Sequence, residues 1–424
     1  MTSPARTADA GRRPGALVEV LAWVAVAAWT TWWAVRQADP SGISWHYFHD
    51  GAARLFGGSG LHLYADDPTL QIGPLAFVVA GGLTVVAGGH SLGAAQVVMT
   101  ALLAVVVGAV TRPLTGRERT LGVLTVGLVL APAWTTLTVR WAHLDDALAL
   151  CLIALVVWAV RADPSGPGRP VLAAGAAGLA AAAKPWAVLV LPLLLLLPPR
   201  VRWRALGYAV LVTALAWLPF VIADPGTLGA FHPRVGTSDS SILWWLGYHG
   251  ATLPVWDRTA QLVAAPLVSL LAVARGRWAG ALLAGVAVRL ALDPQNIAYY
   301  AAGAVLGALV LDLHGRRWRL PWAGLVTLLL FWQPFVADFA RRFELATGPA
   351  LWWYRHPGVV AGAHAGWVLA ALVAAFWPVS APRSGPRTAR ADRADRADPS
   401  APRSADPGGP WAAGPSRAPR PGPG

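Results

Sequence analysis

Apolar runs long enough to cross a bilayer recur along almost the whole chain, separated by short polar turns. A hydrocarbon core of about 30 Å takes roughly 20 helical residues. Segments 16–36, 92–111, 120–139 and 205–222 come near that length. Within the bilayer every backbone polar group must be satisfied internally, which favours helices, and the period-2 alternation of a membrane barrel is absent. The pattern predicts an all-α fold, a polytopic transmembrane bundle of about twelve spans filling residues 16–377.

One stretch breaks the pattern. Residues 44–75, directly after the first span, hold Asp50, Asp66 and Asp67, the histidines His46, His49 and His62, and the aromatics Trp45, Tyr47, Phe48 and Tyr64. A loop this polar on one side of an apolar protein is where recognition or chemistry would sit. The segment after it, 71–89, is apolar but interrupted by Gly73, Pro74, Gly81, Gly82, Gly88 and Gly89. If 71–89 and 92–111 both crossed, the basic turn RPLTGRER at 112–119 would fall outside, against the positive-inside rule. The expectation is therefore that 71–89 does not cross, and that the first extracytoplasmic loop carries interfacial helices.

Charge supports the same topology. The chain is 56% hydrophobic and 13% charged, against about 25% charged in soluble domains. Its net charge of +13 comes from arginines in short connections between apolar runs. That distribution describes membrane orientation rather than a nucleic-acid surface. It predicts a multi-pass protein of the plasma membrane with both termini cytoplasmic. Residues 1–15 form a basic N-terminal segment, uncleaved. The Pro-, Ala- and Arg-rich stretch 378–424, with its short RAD repeat, has too little apolar surface to fold and reads as a disordered cytoplasmic tail. The single cysteine, Cys151, excludes an internal disulfide and a cysteine metal cluster.

On this topology the unusual polar residues gather at the extracytoplasmic edge. Arg140, His143, Asp145 and Asp146 form the turn RWAHLDD. Acidic residues at a helix N-terminus favour its dipole; the same group can hold acceptor hydroxyls or a divalent metal ion. Lys184 is the one lysine in a chain of 34 basic residues. It can snorkel to the interface or hold a phosphate as a point charge. Arg289 lies within a span one turn before Asp293, as an internal ion pair or a second phosphate ligand. Asp50, in WHYFHDGAARLF, is either an interfacial carboxylate or a general base. Carboxylates beside fixed cations suit sugar transfer, since one removes a hydroxyl proton while the other binds the departing phosphate. No HExxH, CxxC, P-loop, GxGxxG or GxSxG motif appears in a supporting context.

Several landmarks occur in order. GAARLFGGSGLHLY (51–64) precedes Gly73-Pro74-Leu75; Pro132 precedes HLDD (143–146); a Gly/Ala-rich helix ends in Lys184-Pro185; a Leu-rich run leads to Arg202-Trp203-Arg204. Together, over roughly residues 16–313, they resemble the GT-C glycosyltransferases, and among these the polyprenol-phosphate-mannose-dependent mannosyltransferases of glycosyltransferase family 87 in actinobacteria. The resemblance implies inverting transfer of a sugar, mannose foremost, from a polyprenyl-phosphate donor to a lipid or glycan acceptor on the outer face. It implies a base in the first outside loop, which maps by region onto Asp50. The family places that carboxylate nearer position 44 or 45 of this chain, so Asp50 is shifted toward Ala52-Ala53. Lys184, with Arg140 or Arg289, would hold the lipid phosphate; Asp145, Asp146, His143 and Tyr64 complete the expected substrate-binding set. A transporter or flippase of lipid-linked sugars and a non-catalytic membrane scaffold are the alternatives. The first would favour internal repeats and mid-membrane charges, and no repeat is seen outside the tail.

Overall fold

The computed structural model describes residues 13–38, 41–161, 168–231, 235–316, 320–342, 352–353 and 355–377. The expected tail, 378–424, and most of the N-terminal segment lie outside the described residues. Among the described residues the fold is all-helical, without strands. Six helical stretches are long and apolar enough to cross a membrane: Gly15–Gln37, Pro74–Thr111, Gly116–Arg140, Pro199–Ala223, Asp257–Ala274 and Pro357–Phe376. Shorter apolar helices accompany them.

The helices sort into an inner and an outer set. Helix α1 (Arg13–Gln37) and α9 (Pro199–Ala223) are apolar yet only 17% buried over their most hydrophobic windows. Leu21 and Val24 on α1 and Leu211, Leu215 and Ile222 on α9 stand exposed. Such faces would be costly in water and are at home against lipid tails. Helix α6 (Gly116–Thr135) and its continuation are 83% buried in the same measure. Against it pack α1, α5 (Ser91–Thr111) and α13 (Tyr300–His314), and α7 (Leu144–Arg161) packs on α5. On the far side of α7, α8 (Arg169–Ala183) presents seven buried alanines between Ala173 and Ala182. Small side chains let helix backbones approach closely where no hydrophobic effect drives them together.

The first loop folds into α2 (Trp45–Phe56), a one-turn α3 (Leu63–Asp66) and α4 (Pro74–Ala87). Helix α2 is amphipathic, burying Trp45, Phe48, Gly51 and Ala52 while His46, Tyr47 and Asp50 face outward. Helix α4 has 14 residues, about 21 Å of rise, and a turn at Gly88–His90 separates it from α5.

Two departures from regular α-helix shape the polar end of the bundle. Pro132 interrupts α6, and the hydroxyls of Thr135, Thr136 and Thr138 return hydrogen bonds to the carbonyls of Ala131, Pro132 and Trp134, each at 2.9 Å. The helix then widens into a π turn over Thr136–Arg140. The Leu-rich run after Lys184 winds not as an α-helix but as a 3-10 helix, Pro185–Leu196. At about 2.0 Å per residue its 12 residues reach ~24 Å where an α-helix would reach ~18 Å. Helix α10 (Ile242–Trp245) is a short turn in the long polar loop; α11 (Asp257–Ala274), α12 (Trp278–Ala291), α14 (Trp322–Arg342) and α15 (Pro357–Phe376) complete the bundle. Asp312 near the end of α13 accepts the backbone N–H groups of Gly324 at 2.8 Å and Ala323 at 3.3 Å, capping the first turn of α14 across the connection.

Candidate functional site

A cavity of about 420 Å³ opens where the first loop meets the ends of α8, α11, α12 and α13. Its floor depends on backbone geometry that the sequence alone does not show. After the π turn, Ala142 takes a left-handed conformation, φ 46°, while fully buried. A buried non-glycine residue held there is uncommon and persists only where its surroundings over-determine it. Here they do: Trp141 N–H donates to Thr136, His143 N–H to Leu137, and the strap before α2 is stitched on by Ser44 N–H to Trp141 at 2.9 Å. The twist delivers His143 to the cavity wall and starts α7 with Asp145 and Asp146 in its first turn.

The end of α8 is fixed from the opposite side. Gly73 N–H donates to the Ala183 carbonyl at 3.1 Å. A Cβ at Gly73 would overlap the carbonyl oxygens of Ala182 and Ala183, so only glycine fits. The Gly73-Pro74 and Lys184-Pro185 signatures, far apart in sequence, are thus one contact. Lys184 then points inward. Its ammonium lies 2.5 Å from Asp145 Oδ2 and 3.4 Å from Asp146 Oδ2. His143 Nδ1 lies 2.6 Å from Asp145 Oδ1 and 3.1 Å from Asp146 Oδ2. Trp186 Nε1 donates to Asp146 Oδ1 at 2.9 Å. Asp145 is fully buried and Asp146 nearly so, which carboxylates tolerate only when paired and hydrogen-bonded.

The donor atoms of His143, Asp145 and Asp146 lie within 4.8 Å of one another, close enough for a divalent ion. The ammonium of Lys184 already bridges both carboxylates and supplies the positive charge an ion would bring. The donor set therefore does not fit a resident metal while the lysine is in place, and we assign none.

A second cluster forms the other wall. Arg289 Nη2 contacts Asp293 Oδ2 at 3.2 Å, and its guanidinium lies 4.9 Å from the Trp186 ring centre and 4.3 Å from that of Tyr300. Arg258, on the first turn of α11, donates to Gln71 Oε1 at 2.9 Å and Gln261 Oε1 at 3.1 Å and lies 3.7 Å from Asp293. Gln71 belongs to the strap 67–73, whose Thr69, Leu70 and Ile72 also line the cavity. Asp67 anchors that strap through Arg54 at 2.7 Å and the Thr69 backbone N–H at 3.2 Å. Partial burial alone would raise the Asp67 carboxyl, but the Thr69 hydroxyl and the Arg54 guanidinium hold it below the usual carboxylate range. Segment 235–241 closes the rim, with Ser238 N–H donating to the Pro294 carbonyl at 2.8 Å and Gln295 to Gly236 at 3.3 Å.

The expected residues divide clearly. His143, Lys184 and Arg289 line one cavity, and Asp145 and Asp146 stand behind Lys184 and His143. Arg140 is not on the wall; it donates to Gln37 at 3.3 Å. Tyr64 is fully buried in the loop core, donating to the Ile72 carbonyl at 2.7 Å and packed on Phe77, Trp217 and Phe220. Asp50 lies outside the cavity, its side chain 63% exposed and its Oδ1 3.1 Å from His49 Nδ1. The family resemblance expects the carboxylate near position 44 or 45; of these Ser44 lines the cavity and Trp45 is buried. Arg258, Gln71 and Gln261 were not anticipated. Arg258 reads in the sequence only as the polar start of an apolar run. No family model, curated protein or solved structure matches this chain.

Proposed function

We propose that the chain is an integral-membrane glycosyltransferase of GT-C type, moving a sugar, mannose foremost, from a polyprenyl-phosphate donor to a lipid or glycan acceptor on the extracytoplasmic face. The observation that carries this reading is the convergence of three cations from separate elements, Lys184 after α8, Arg258 on α11 and Arg289 on α12, on one aromatic-walled cavity. Their carboxylate partners either stand behind them or, as Asp293, lie between two guanidiniums. The charges are thereby stabilised in a mostly apolar protein while donor groups remain for an anion. A volume of about 420 Å³ falls in the range of small-molecule sites, ~300–1,000 Å³. Trp141, Trp186, Tyr299 and Tyr300 offer flat faces to a sugar ring.

On this reading the arginines and Lys184 bind the donor phosphate and stabilise it as it leaves with the bonding electrons, the role of preorganised cations in phosphate departure. The lipid tail remains in the bilayer. Helices α2 and α4 lie along the interface, about twelve crossings place both termini in the cytoplasm, and the membrane is the plasma membrane.

The test is reconstitution in nanodiscs with radiolabelled polyprenyl-phosphate-mannose and total envelope lipid. The protein is expected to retain the donor and transfer label. Arg289→Met and Arg258→Met are each expected to weaken donor retention by about tenfold or more, the scale of a lost charge-assisted contact. Wild-type protein that neither retains the donor nor transfers label would sink the proposal.

A further inference from the structure

On the glycosyltransferase reading, on which this inference rests, the cavity needs a group that takes the proton of the attacking hydroxyl. Among the described residues, the titratable side chains on the wall are three cations (Lys184, Arg258, Arg289), three phenols (Tyr47, Tyr299, Tyr300), Asp293 and His143. The cations have no proton-accepting capacity near neutrality, and phenols hold their protons there. Asp293 is committed elsewhere. Its Oδ2 faces Arg289 at 3.2 Å and Arg258 at 3.7 Å, and its Oδ1 accepts the Gln295 backbone N–H at 3.1 Å. Both of its oxygens thus already have partners within the protein.

His143 is arranged differently. Its Nδ1 is turned to Asp145 at 2.6 Å, with Asp146 at 3.1 Å, which leaves Nε2 as the ring nitrogen for a ligand in the cavity. The ring is held on two sides, stacked on Tyr299 with centroids 3.9 Å apart and meeting Phe48 edge-on at 5.6 Å. Its backbone is set by the left-handed residue before it, Ala142. The charged groups around it are two carboxylates, Asp145 and Asp146, and one ammonium, Lys184. That set carries one negative charge in excess, which an imidazolium would neutralise. A histidine whose inner nitrogen is hydrogen-bonded to a buried carboxylate, with the outer one free, is the arrangement that accepts a proton and stabilises the cation formed.

We infer that His143, oriented by Asp145, is the proton acceptor of this site. The acceptor hydroxyl oxygen forms a bond to the anomeric carbon of the donor sugar as the bond from that carbon to the phosphate oxygen breaks. The phosphate leaves with the electron pair onto Lys184, Arg258 and Arg289, and the hydroxyl proton passes to Nε2 of His143. Asp145 is a positioning residue; it touches the imidazole and not the substrate.

The experiment compares wild type, His143→Gln and His143→Ala in nanodiscs, measuring retention of radiolabelled polyprenyl-phosphate-mannose and its transfer separately, from pH 5 to 9. The wild-type rate is expected to rise with pH and level off. His143→Gln is expected to keep donor retention, lose about 10²–10⁴-fold in transfer, and lose the rise. Added imidazole is expected to restore transfer to His143→Ala. If His143→Gln transfers label within a few-fold of wild type, or keeps the wild-type pH profile, the assignment is overturned while the glycosyltransferase reading stands. If wild type fails to retain the donor, both fall together.

Discussion

Among the described residues, two His–Asp pairs form between residues close in sequence. On α2, His49 and Asp50 stand 3.1 Å apart with side chains 44% and 63% exposed. On the turn into α7, His143 and Asp145 stand 2.6 Å apart with side chains 10% and 0% exposed. In water the first pair gains little, because the dielectric screens it and two mobile side chains must be ordered. The second has no water to fall back on. Each of its members must be answered by protein, and Lys184, Asp146 and Tyr299 answer them. The same two residue types thus make a surface decoration in one place and a constrained site in the other. The difference comes from the π turn and Ala142, which pull the second pair inward, and from the amphipathic phase of α2, which leaves the first pair out.

The sharpest way to break this comparison is Lys184→Met, which keeps the stem and removes the charge. Asp145 and Asp146 would then share a buried site with His143 as the one ion-pair partner left in contact with both. Removing one partner of a buried ion cluster costs about 3–5 kcal/mol. We expect a clear fall in melting temperature in nanodiscs, partly recovered in Lys184→Met/Asp145→Asn because the second change removes one of the stranded charges. A single variant that melts like wild type would show that the second pair is as weakly held as the first.

Gly73→Ala tests how the buried site is held without touching a charge. The added methyl meets the carbonyl oxygens of Ala182 and Ala183, which belong to backbone and have no rotamer to escape into. Such overpacking costs about 1–3 kcal/mol. Relief by moving the strap would draw Gln71 away from Arg258, whereas relief by moving the end of α8 would shift Lys184. Either path is expected to weaken donor retention along with melting temperature. Unchanged retention would mean that the strap does not set the cation positions.

Much of this architecture follows from local chemistry that a chain displays openly. Span length and hydropathy mark α5, α9 and α15. The lone lysine stands out against an arginine background, and it lies on the cavity wall. Asp145 and Asp146 were legible as an acidic helix start, although not as buried counter-charges for that lysine. Depth was the missing quantity. Nothing in WHYFHDGAARLF says which side of α2 faces the cavity, since a one-residue change of phase would exchange Ser44 and Tyr47 for their neighbours. The π turn after Pro132 and the 3-10 winding of Pro185–Leu196 depend on hydroxyl back-bonding and on packing between distant helices, which periodicity does not report. Arg258 reads only as the polar start of an apolar run until Gln71 and Asp293 are brought beside it.

The smallest expected effect is the most discriminating. Asp50→Asn removes the charge of the exposed pair and keeps its shape. A surface change away from caps, cores and networks usually stays within about 0.5 kcal/mol, so melting temperature should hold, and label transfer should stay within about twofold of wild type because the carboxylate is not on the cavity wall. The family resemblance implies the opposite, a base on the first loop and transfer abolished. A loss of transfer with donor retention intact would require α2 to turn Asp50 inward when the donor binds, carrying Tyr47 and Ser44 off the wall they now line. Retained transfer would instead mean that Asp50 is not the base, and would leave that role to a group on the cavity wall, where we place it on His143.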